Sequence, residues 1–407
     1  MMFKQNRRNF VGVLGSTAAA VSMPWMARAQ TGAPTIRIGW AISKTGPFAG
    51  GAASAQLPNY RLWVSDVNKA GGISVGGVKR LVEVVEYDDR SQPEEAVRAV
   101  ERLISQDKVD FLLPPWGTGM NMAVAPAFKK GDFPMIAPSF ISDRMPELVK
   151  RWDNIFSLLN PASAYAEGIV AVLAYQRQLG RIGNKVAMVN VTDQFGLELA
   201  AAARKALSAA NFELVATNAY PISTQDLTPM IADVQRSNPD VFLAFSYPPD
   251  TLGLTEAARV RNFNPKIFYA GVGSALPVFA GKFGANTEGV MGPGGWNPGS
   301  EAIKAYTDRY KALNGSAPEQ WVSVLSYSGL QALQQAIEKV GSLDRRAVVN
   351  ALASGTFDTV SGPLNFDNHI LRNGWLVGQW QGGVFRGIAP TRQTGAAPII
   401  QKPSWKA

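Results

Sequence analysis

Few residues of this chain have the types and spacing that acid–base or nucleophilic chemistry requires. The sequence holds one histidine, His369, and no cysteine, which excludes a thiol nucleophile and a zinc–thiolate site. A Ser-His-Asp triad would have to use His369, whose polar neighbours favour a turn, and no Gly-x-Ser-x-Gly elbow occurs. The pairs Asp88-Asp89 and Glu94-Glu95 could serve as acids or metal ligands, but the second pair suits a helix first turn, where the helix dipole favours carboxylates. The sequence therefore predicts no enzyme, no metal site and no cofactor.

A second set of residues suits the binding of a small molecule. Six loops that follow predicted strands are rich in aromatic, hydroxyl and glycine residues and poor in charge: 43–51 (SKTGPFAGG), 114–119 (PPWGTG), 137–143 (APSFISD), 191–196 (VTDQFG), 245–250 (FSYPPD) and 270–274 (AGVGS). In an open parallel sheet, ligands bind at the carboxyl ends of strands, where helix N-termini offer free N–H groups. These loops are therefore the predicted site.

The elements that must position these loops follow a strand–helix alternation. Strand patterns lie at 35–40, 80–87, 109–113, 133–136, 185–191, 212–220, 241–245 and 266–269, with helical patterns between most of them. Such alternation predicts parallel sheets built from βαβ units. A break near 156–161 predicts two doubly wound lobes. The segment 91–94 (SQPE) predicts a capping box, and short antiparallel strands are predicted at 363–366, 375–380 and 384–385.

The N-terminus has the features of an export signal. Residues 1–29 combine a basic head, a short apolar run and the small-x-small sequence Ala27-Arg28-Ala29. These features are typical of a signal peptide rather than a membrane-spanning helix. The motif 7–11 (RRNFV) resembles the twin-arginine consensus. The sequence therefore predicts a twin-arginine signal peptide, cleavage after Ala29 and a periplasmic location.

Charge and hydropathy limit the partners of the mature chain. The whole chain has a net charge of +9, of which residues 1–29 supply four, and the remaining excess is spread along the chain without a run of Lys or Arg. This distribution argues against nucleic-acid binding. No second long apolar run exists, so we expect no direct insertion into a membrane. We expect a monomer whose partner is a small-molecule ligand.

Five segments carry a resemblance to a known family. They are 38–49 (IGWAISKTGPFA), 66–73 (DVNKAGGI), 83–97 (EVVEYDDRSQPEEAV), 134–139 (PMIAPS) and 358–367 (DTVSGPLNFD). In this order and spacing the chain resembles the branched-chain amino-acid (Leu/Ile/Val) binding proteins of ATP-driven importers, a type I periplasmic binding family. The similarity covers about residues 36–386. It implies a receptor without catalytic activity that delivers its ligand to an inner-membrane ABC permease.

The resemblance also implies a domain organisation. Two lobes joined by a three-segment hinge should close around the ligand, with crossings near Ser157, Gly292 and Ser361. Lobe 1 is expected to comprise 36–157 plus 293–361, and lobe 2 to comprise 158–292 plus 362–390. Residues 391–407 are expected to form a C-terminal tail.

Several pocket residues follow from the resemblance. Thr118 matches the hydroxyl that, together with backbone N–H groups, binds the ligand carboxylate. Ser139 and Ser142 both match a second hydroxyl position, because the loop 137–143 carries an insertion. Phe195 and Tyr247 match aromatic positions of the pocket. The resemblance thus predicts a carboxylate anchor and an aromatic wall.

One position departs from the family and changes the expected ligand. Val272 stands where the family has the acid that binds the ligand ammonium. Burial of an unpaired ammonium costs on the order of several kcal/mol, so we expect an organic acid without this amine. Phe48, Trp116 and Phe140 are predicted to complete an aromatic box, which favours flat or apolar ligands.

Three alternatives remain open. An amino acid or amide is a second ligand class, because Asp193 or Asp250 could replace the missing acid from another direction. A sensory receptor with the same fold is a second function. A periplasmic enzyme that uses Asp88, Asp89 or Glu94 is the third alternative.

Overall fold

The computed structural model describes residues 34–372 and 374–406, so the predicted export signal at 1–29 lies outside the described residues. The strands are β1 (Ile36–Ile42), β2 (Ile73–Val75), β3 (Val78–Arg80), β4 (Val82–Asp88), β5 (Phe111–Leu113), β6 (Met135–Ala137), β7 (Ile155–Ser157), β8 (Lys185–Val191), β9 (Glu213–Tyr220), β10 (Val241–Phe245), β11 (Ile267–Tyr269), β12 (Met291–Pro293), β13 (Thr356–Thr359), β14 (Gly362–Asn365), β15 (Val377–Gln381) and β16 (Val384–Ala389).

The helices lie between these strands for most of the chain. They are α1 (Ala49–Gly51), α2 (Leu57–Lys69), α3 (Pro93–Ser105), α4 (Thr118–Lys130), α5 (Met145–Arg151), α6 (Ala162–Gln178), α7 (Gln194–Ala209), α8 (Thr228–Arg236), α9 (Pro248–Val260), α10 (Pro277–Phe283), α11 (Glu301–Asn314), α12 (Val322–Val340) and α13 (Arg345–Ser354). A π-helical segment, Ala52–Gln56, joins α1 to α2. The predicted α/β fold with central parallel sheets is confirmed.

Lobe 1 is built around three parallel strands in the order β4-β1-β5, and β6 and β7 form a parallel pair in the same lobe. The apolar residues of β1 and β5 are buried on both faces of the sheet, as expected for parallel strands covered by helices. Ile38 and Trp40 belong to the core that includes α2 and α12. Ala41 and Leu112 belong to a separate core with α3 and α4. Helices therefore cover both faces of the lobe 1 sheet.

Lobe 2 is built around a seven-stranded sheet in the order β16-β15-β12-β11-β10-β8-β9. Strands β8 to β12 are parallel where they pair, whereas β15 and β16 are antiparallel to their neighbours. Every residue of β10 (VFLAF) is buried, which explains its continuous apolar sequence. The last two strands give the sheet its antiparallel edge.

The parallel strands bring the predicted loops together. The carboxyl ends of parallel strands lie at one edge of a sheet. The loops after β1, β5 and β6 therefore lie at the same end of lobe 1, and those after β8, β10 and β11 at the same end of lobe 2. Residues from both sets of loops line one cavity. The fold thus places the two groups of loops opposite each other.

The predicted crossings fall at recognisable places in the strand order. Ser157 ends β7, and its N–H donates to the carbonyl of His369 at 2.8 Å while its own carbonyl accepts from the Leu371 N–H at 2.8 Å. Gly292 lies within β12 of the lobe 2 sheet. Ser361 lies between β13 and β14, which pair as a hairpin. The chain therefore passes Ser157 a second time at 369–371, and the predicted lobe ranges remain predictions.

Two local features differ from the sequence prediction or add to it. The capping box at 91–94 is wrong: Gln92 precedes α3 without a side-chain cap, and the Ser91 hydroxyl instead donates to the carbonyl of Thr45. The C-terminal segment has no strand or helix after β16, yet it packs on lobe 2, where the Trp405 indole N–H donates to the carbonyl of Phe263 at 2.7 Å. Among the described residues, no helix combines the length and the apolar character needed to cross a membrane.

Candidate ligand-binding site

A cavity lies between the facing loops of the two lobes. The residues that line it are Gly51, Ala55, Trp116, Gly117, Thr118, Ser139, Ile141, Leu159, Phe195, Tyr247, Pro248, Val272, Gly273, Leu276, Glu319, Trp321 and Val322. Most of these are apolar or aromatic, and a few are polar. Small-molecule sites typically have this combination, in which the apolar surface supplies binding energy and the polar groups set the orientation.

Four aromatic side chains form a group across the cleft, which we call the aromatic group: Phe48 and Trp116 from lobe 1, and Phe195 and Tyr247 from lobe 2. Tyr247 is at its centre, with ring centroids 5.1 Å from Phe48, 5.5 Å from Trp116 and 4.9 Å from Phe195. The Phe195 and Tyr247 rings are stacked at 29°. These separations are typical of favourable aromatic pairs. The aromatic group therefore connects the two lobes.

Backbone geometry and one carboxylate hold the rings of this group. An added Cβ at Gly51 would lie 2.3 Å from Cζ2 of Trp116, so glycine is needed there to leave room for the indole. The Tyr247 hydroxyl donates to Oδ2 of Asp193 at 2.6 Å, and Oδ1 of Asp193 accepts from the Gly196 N–H at the start of α7. Burial raises the pKa of Asp193, although these hydrogen bonds oppose the rise. The Tyr247 ring is thus fixed by its hydroxyl as well as by its neighbours.

The start of α4 forms the polar part of the cavity wall. Gly117 has a φ of 105°, which favours glycine, and its N–H donates to the Ser139 hydroxyl at 3.1 Å. The Ser139 hydroxyl donates to Oε1 of Gln56 at 2.9 Å. The Thr118 hydroxyl lies 3.2 Å from both the N and the O of Ile141. Because the first N–H groups of a helix have no carbonyl partner within it, this wall can bind an anion with groups that the fold already holds in place.

The acidic pair Asp88-Asp89 holds the loop that carries Phe48. The Asp88 carboxylate accepts hydrogen bonds from the N–H groups of Lys44 and Thr45 and from the Thr45 hydroxyl. The Asp89 carboxylate accepts from the Ser43 hydroxyl at 2.6 Å, and burial raises its pKa to about 6. Neither residue lines the cavity. These contacts give the pair a structural role in positioning the loop after β1.

The cavity contains an acid that the sequence analysis did not identify as a site residue. Val272 lines the cavity with an apolar side chain. Glu319 also lines it, from the segment before α12, and its Oε2 accepts from the Ser323 N–H at 2.9 Å. Burial raises the pKa of Glu319 to about 7, against the effect of hydrogen bonds from the backbone N–H groups of Ser323, Trp321 and Val322. An acidic residue and a tryptophan directly before a long helical pattern were the available signal.

The other predicted site residues occupy three kinds of place. Trp116, Thr118, Ser139, Phe195, Tyr247 and Val272 line the cavity. Phe48 belongs to the aromatic group but does not line the cavity. Phe140 is fully buried in the second core of lobe 1, so its ring packs against lobe 1 rather than against the cavity. The Ser142 hydroxyl is directed to lobe 2, where it donates to Oε1 of Glu198 at 3.1 Å.

Glu198 connects the two lobes, and we call these contacts the interlobe clasp. Besides the bond from Ser142, Oε2 of Glu198 accepts from the Asp143 N–H at 2.9 Å. The Gln194 side-chain amide also contacts Glu198. The Asp143 carboxylate in turn accepts from the N–H and hydroxyl of Ser163 in α6. The clasp therefore joins the loop after β6 in lobe 1 to α6 and α7 in lobe 2.

The two acids that could replace the family acid lie outside the cavity lining. Asp193 binds the Tyr247 hydroxyl. Asp250 lines a separate cavity with Pro47 and Tyr247, and burial raises its pKa to about 6. The remaining candidate, His369, stacks on Phe156 with centroids 4.6 Å apart, in the turn where the chain passes β7. None of these residues lines the first cavity.

Two α/β lobes with a cavity between the ends of their sheets define the architecture of a two-lobed binding protein. Comparison with known proteins agrees with this class. The sequence profile of the periplasmic binding protein family matches residues 35–384, and the chain belongs to that family.

Individual relatives confirm the resemblance to the type I periplasmic binding proteins of ABC importers. The Leu/Ile/Val-binding protein homolog 7 of Brucella melitensis is 23% identical over 387 residues, which cover 90% of this chain and 94% of the relative. A branched-chain amino acid transporter substrate binding protein from Streptococcus pneumoniae, solved with isoleucine, has a TM-score of 0.75 at 21% identity, with 90% of this chain and 99% of that chain covered. A solute binding protein from R. palustris, solved with benzoate, has a TM-score of 0.75 at 19% identity and the same coverage.

Proposed function

We propose that this chain is the periplasmic receptor of an ABC importer and captures a small organic acid with an aromatic or apolar body. In this proposal the export signal is cleaved after Ala29, the receptor is a monomer, and it performs no catalysis. The ligand lies between lobes of the predicted ranges and is delivered to the inner-membrane permease. Solved proteins of similar fold bind either isoleucine or benzoate, so both ligand classes are available to this architecture.

The observation that carries the proposal is the chemistry of the cavity wall. The N–H groups at the start of α4 suit a carboxylate, and the Thr118 and Ser139 hydroxyls would join them by turning their single hydrogens from Ile141 and Gln56 to the ligand. The aromatic group and Val272 suit a body that carries no ammonium at the position where the family binds one. Among the described residues that line the cavity, none is Lys or Arg, so the carboxylate would be bound by neutral donors.

The mechanism is the closure of two lobes around a ligand that both of them contact. A ligand that binds the closed form better than the open form shifts the population toward closure. Thr118 would contact the ligand from lobe 1, and Phe195 and Tyr247 from lobe 2. The ligand therefore bridges the cleft, and its binding energy stabilises the form that a permease would recognise.

A thermal-shift screen followed by calorimetry tests the proposal. The purified mature chain is screened with benzoate, 4-methylbenzoate, 4-methylpentanoate and leucine, because a ligand that binds the folded state raises the melting temperature. We expect one or more of the three amine-free acids to bind, and leucine to bind at least tenfold more weakly than its amine-free analogue 4-methylpentanoate. Leucine binding that exceeds that of every amine-free acid would contradict the proposed ligand class.

A further inference from the structure

Glu319 gives the cavity a chemical property that the proposed function does not use. The side chain is 4% exposed and lines the cavity. A buried carboxylate is costly unless it has hydrogen-bond partners or an opposite charge nearby. Its hydrogen-bond partners in the protein therefore show which acceptor positions remain for a ligand.

The backbone around Glu319 is held from both lobes. The Gln320 N–H donates to the carbonyl of Ala275 in lobe 2 at 3.2 Å. Oε1 of Gln320 accepts from the Trp296 indole at 3.0 Å and from the Phe385 N–H at 2.7 Å. The next ring, Trp321, packs edge-on against Tyr165. Contacts within the protein therefore hold the segment that presents Glu319 to the cavity.

The carboxylate retains capacity to accept another hydrogen bond. The backbone N–H groups that lower its pKa belong to Ser323, Trp321 and Val322. An ionised carboxylate has about four acceptor positions. Even if all three N–H groups bind fully, one position is left on a side chain that lines the cavity.

No positive charge of the protein neutralises Glu319 at this wall. None of the described residues that line the cavity with Glu319 is cationic. A ligand that presents only its carboxylate and an apolar body would leave the acid without a new partner and would add a second negative charge. A donor group on the ligand would remove both penalties.

We infer that Glu319 is a specificity-determining residue, which accepts a hydrogen bond from a hydroxyl or N–H group that the ligand carries in addition to its carboxylate. This inference rests on the proposed function, since it requires a carboxylate ligand in the same cavity. The ligand class becomes an acid with a donor-bearing body, such as a hydroxylated aromatic acid. The segment before α12 then binds the donor group of the ligand, while the start of α4 binds its carboxylate.

Calorimetry with matched probe pairs tests the inference. Each pair differs by the donor group: 4-hydroxybenzoate and 4-methylbenzoate, 3-hydroxybenzoate and 3-methylbenzoate, and leucine and 4-methylpentanoate. We expect the hydroxyl-bearing member of at least one benzoate pair to bind the mature protein at least tenfold more tightly than its partner, whereas leucine should bind more weakly than 4-methylpentanoate. In E319Q and E319M this ratio should fall below about threefold, since the charge or the acceptor is lost.

Two variants protect the test from an effect on folding. E319Q keeps an oxygen that can accept from the Ser323 N–H, so α12 keeps its cap and the melting temperature should change little. E338Q changes a half-buried acid near the other end of the same helix and should leave every ratio unchanged. A merely structural Glu319 would alter affinities for both members of a pair equally, and the ratio would stay constant.

The outcomes separate the inference from the proposed function. Amine-free acids that bind with equal affinity with and without a donor, or a ratio that survives both Glu319 substitutions, would overturn the inference and leave the proposed function intact. A ratio that appears in the leucine pair and is lost in E319Q would support Glu319 but contradict an amine-free ligand. The absence of binding by every carboxylate would overturn both.

Discussion

The two walls of the cleft bind in different ways. Lobe 1 offers the N–H groups at the start of α4 and two hydroxyls, Thr118 and Ser139, that are already hydrogen-bonded to neighbouring loops. Lobe 2 offers the rings of Phe195 and Tyr247 and the aliphatic side chain of Val272. Positions of backbone groups are set by the fold, whereas side chains change with single substitutions. In the proposed function, lobe 1 would therefore bind the carboxylate at the start of α4 and a donor group at Glu319, whereas lobe 2 would select the apolar body of the ligand.

The largest effect should come from the ring at the centre of the lobe 2 wall. Y247A removes a ring that contacts Phe48, Trp116 and Phe195. We expect a 30- to 100-fold loss of affinity for the best-binding acid, corresponding to about 2–3 kcal/mol of lost burial and ring contact. Calorimetry measures it, with Y247F, which keeps the ring, expected within about fivefold of the wild type. Unchanged affinity in Y247A would show that the rings are core residues alone.

The second effect should come from restoring an acid to lobe 2. V272E places a carboxylate at a position that lines the cavity, where the ammonium of an amino-acid ligand can pair with it. We expect leucine affinity to rise at least tenfold, and affinity for the amine-free acid to fall about tenfold because two carboxylates repel each other. V272L is the control for side-chain size and should not improve leucine binding. If V272E and V272L behave alike, lobe 2 does not select against the amine.

A smaller effect is expected in the lobe 1 wall. T118V removes the hydroxyl that contacts the backbone of Ile141 and faces the cavity, but leaves the N–H groups of α4 in place. We expect a five- to tenfold loss of affinity, equivalent to about one neutral hydrogen bond, for all carboxylates alike. T118S keeps the hydroxyl and should retain most of the affinity. A loss of affinity that depends on the body of the ligand would contradict the assignment of the carboxylate alone to this part of the lobe 1 wall.

The smallest effect should come from the interlobe clasp. E198A removes the bonds from Ser142 and the Asp143 N–H without changing the cavity. Because half-buried polar pairs contribute little, we expect about a threefold loss of affinity through a weaker closed form. Small-angle scattering of the ligand-free protein should show a larger mean radius of gyration. E213A, an exposed acid of lobe 2, is the control; equal behaviour of the two variants would assign the clasp no role in closure.

Much of this fold could be predicted from local sequence patterns. β10 begins and ends where its continuous apolar run does, because a strand buried on both faces needs apolar residues throughout. Three features depended on tertiary contacts. Phe140 lies in a core because its loop turns inward; Ser91 bonds the β1 loop rather than capping α3; and Glu319 reaches the cavity only because α12 returns to lobe 1 from far along the chain.

The cavity residues show the same limit. The loops that carry Thr118, Phe195 and Tyr247 follow from the rule that the carboxyl ends of parallel strands lie at one edge of a sheet. The choice of these three residues within the loops came from the family resemblance. Glu319 lies between α11 and α12 and follows no strand, so the rule for the carboxyl ends of parallel strands does not predict its place in the cavity. The sequence offered only an acid two residues before a tryptophan at the start of a helix, and many helices begin with a similar sequence. Only the packing of that helix start against the loop after β11 distinguishes this one.

The clasp between Glu198 and the loop after β6 needs no cargo to form. Its hydrogen bonds lower the free energy of closure equally for loaded and idle receptors, and so reduce the difference that a permease can sense between them. If a permease binds closed receptors, ligand-free closed receptors would compete for the same binding surface. Transport would then slow when the ligand is scarce. The strength of a few polar bonds outside the cavity lining would then set a compromise between tight retention of the ligand and the rate of transport.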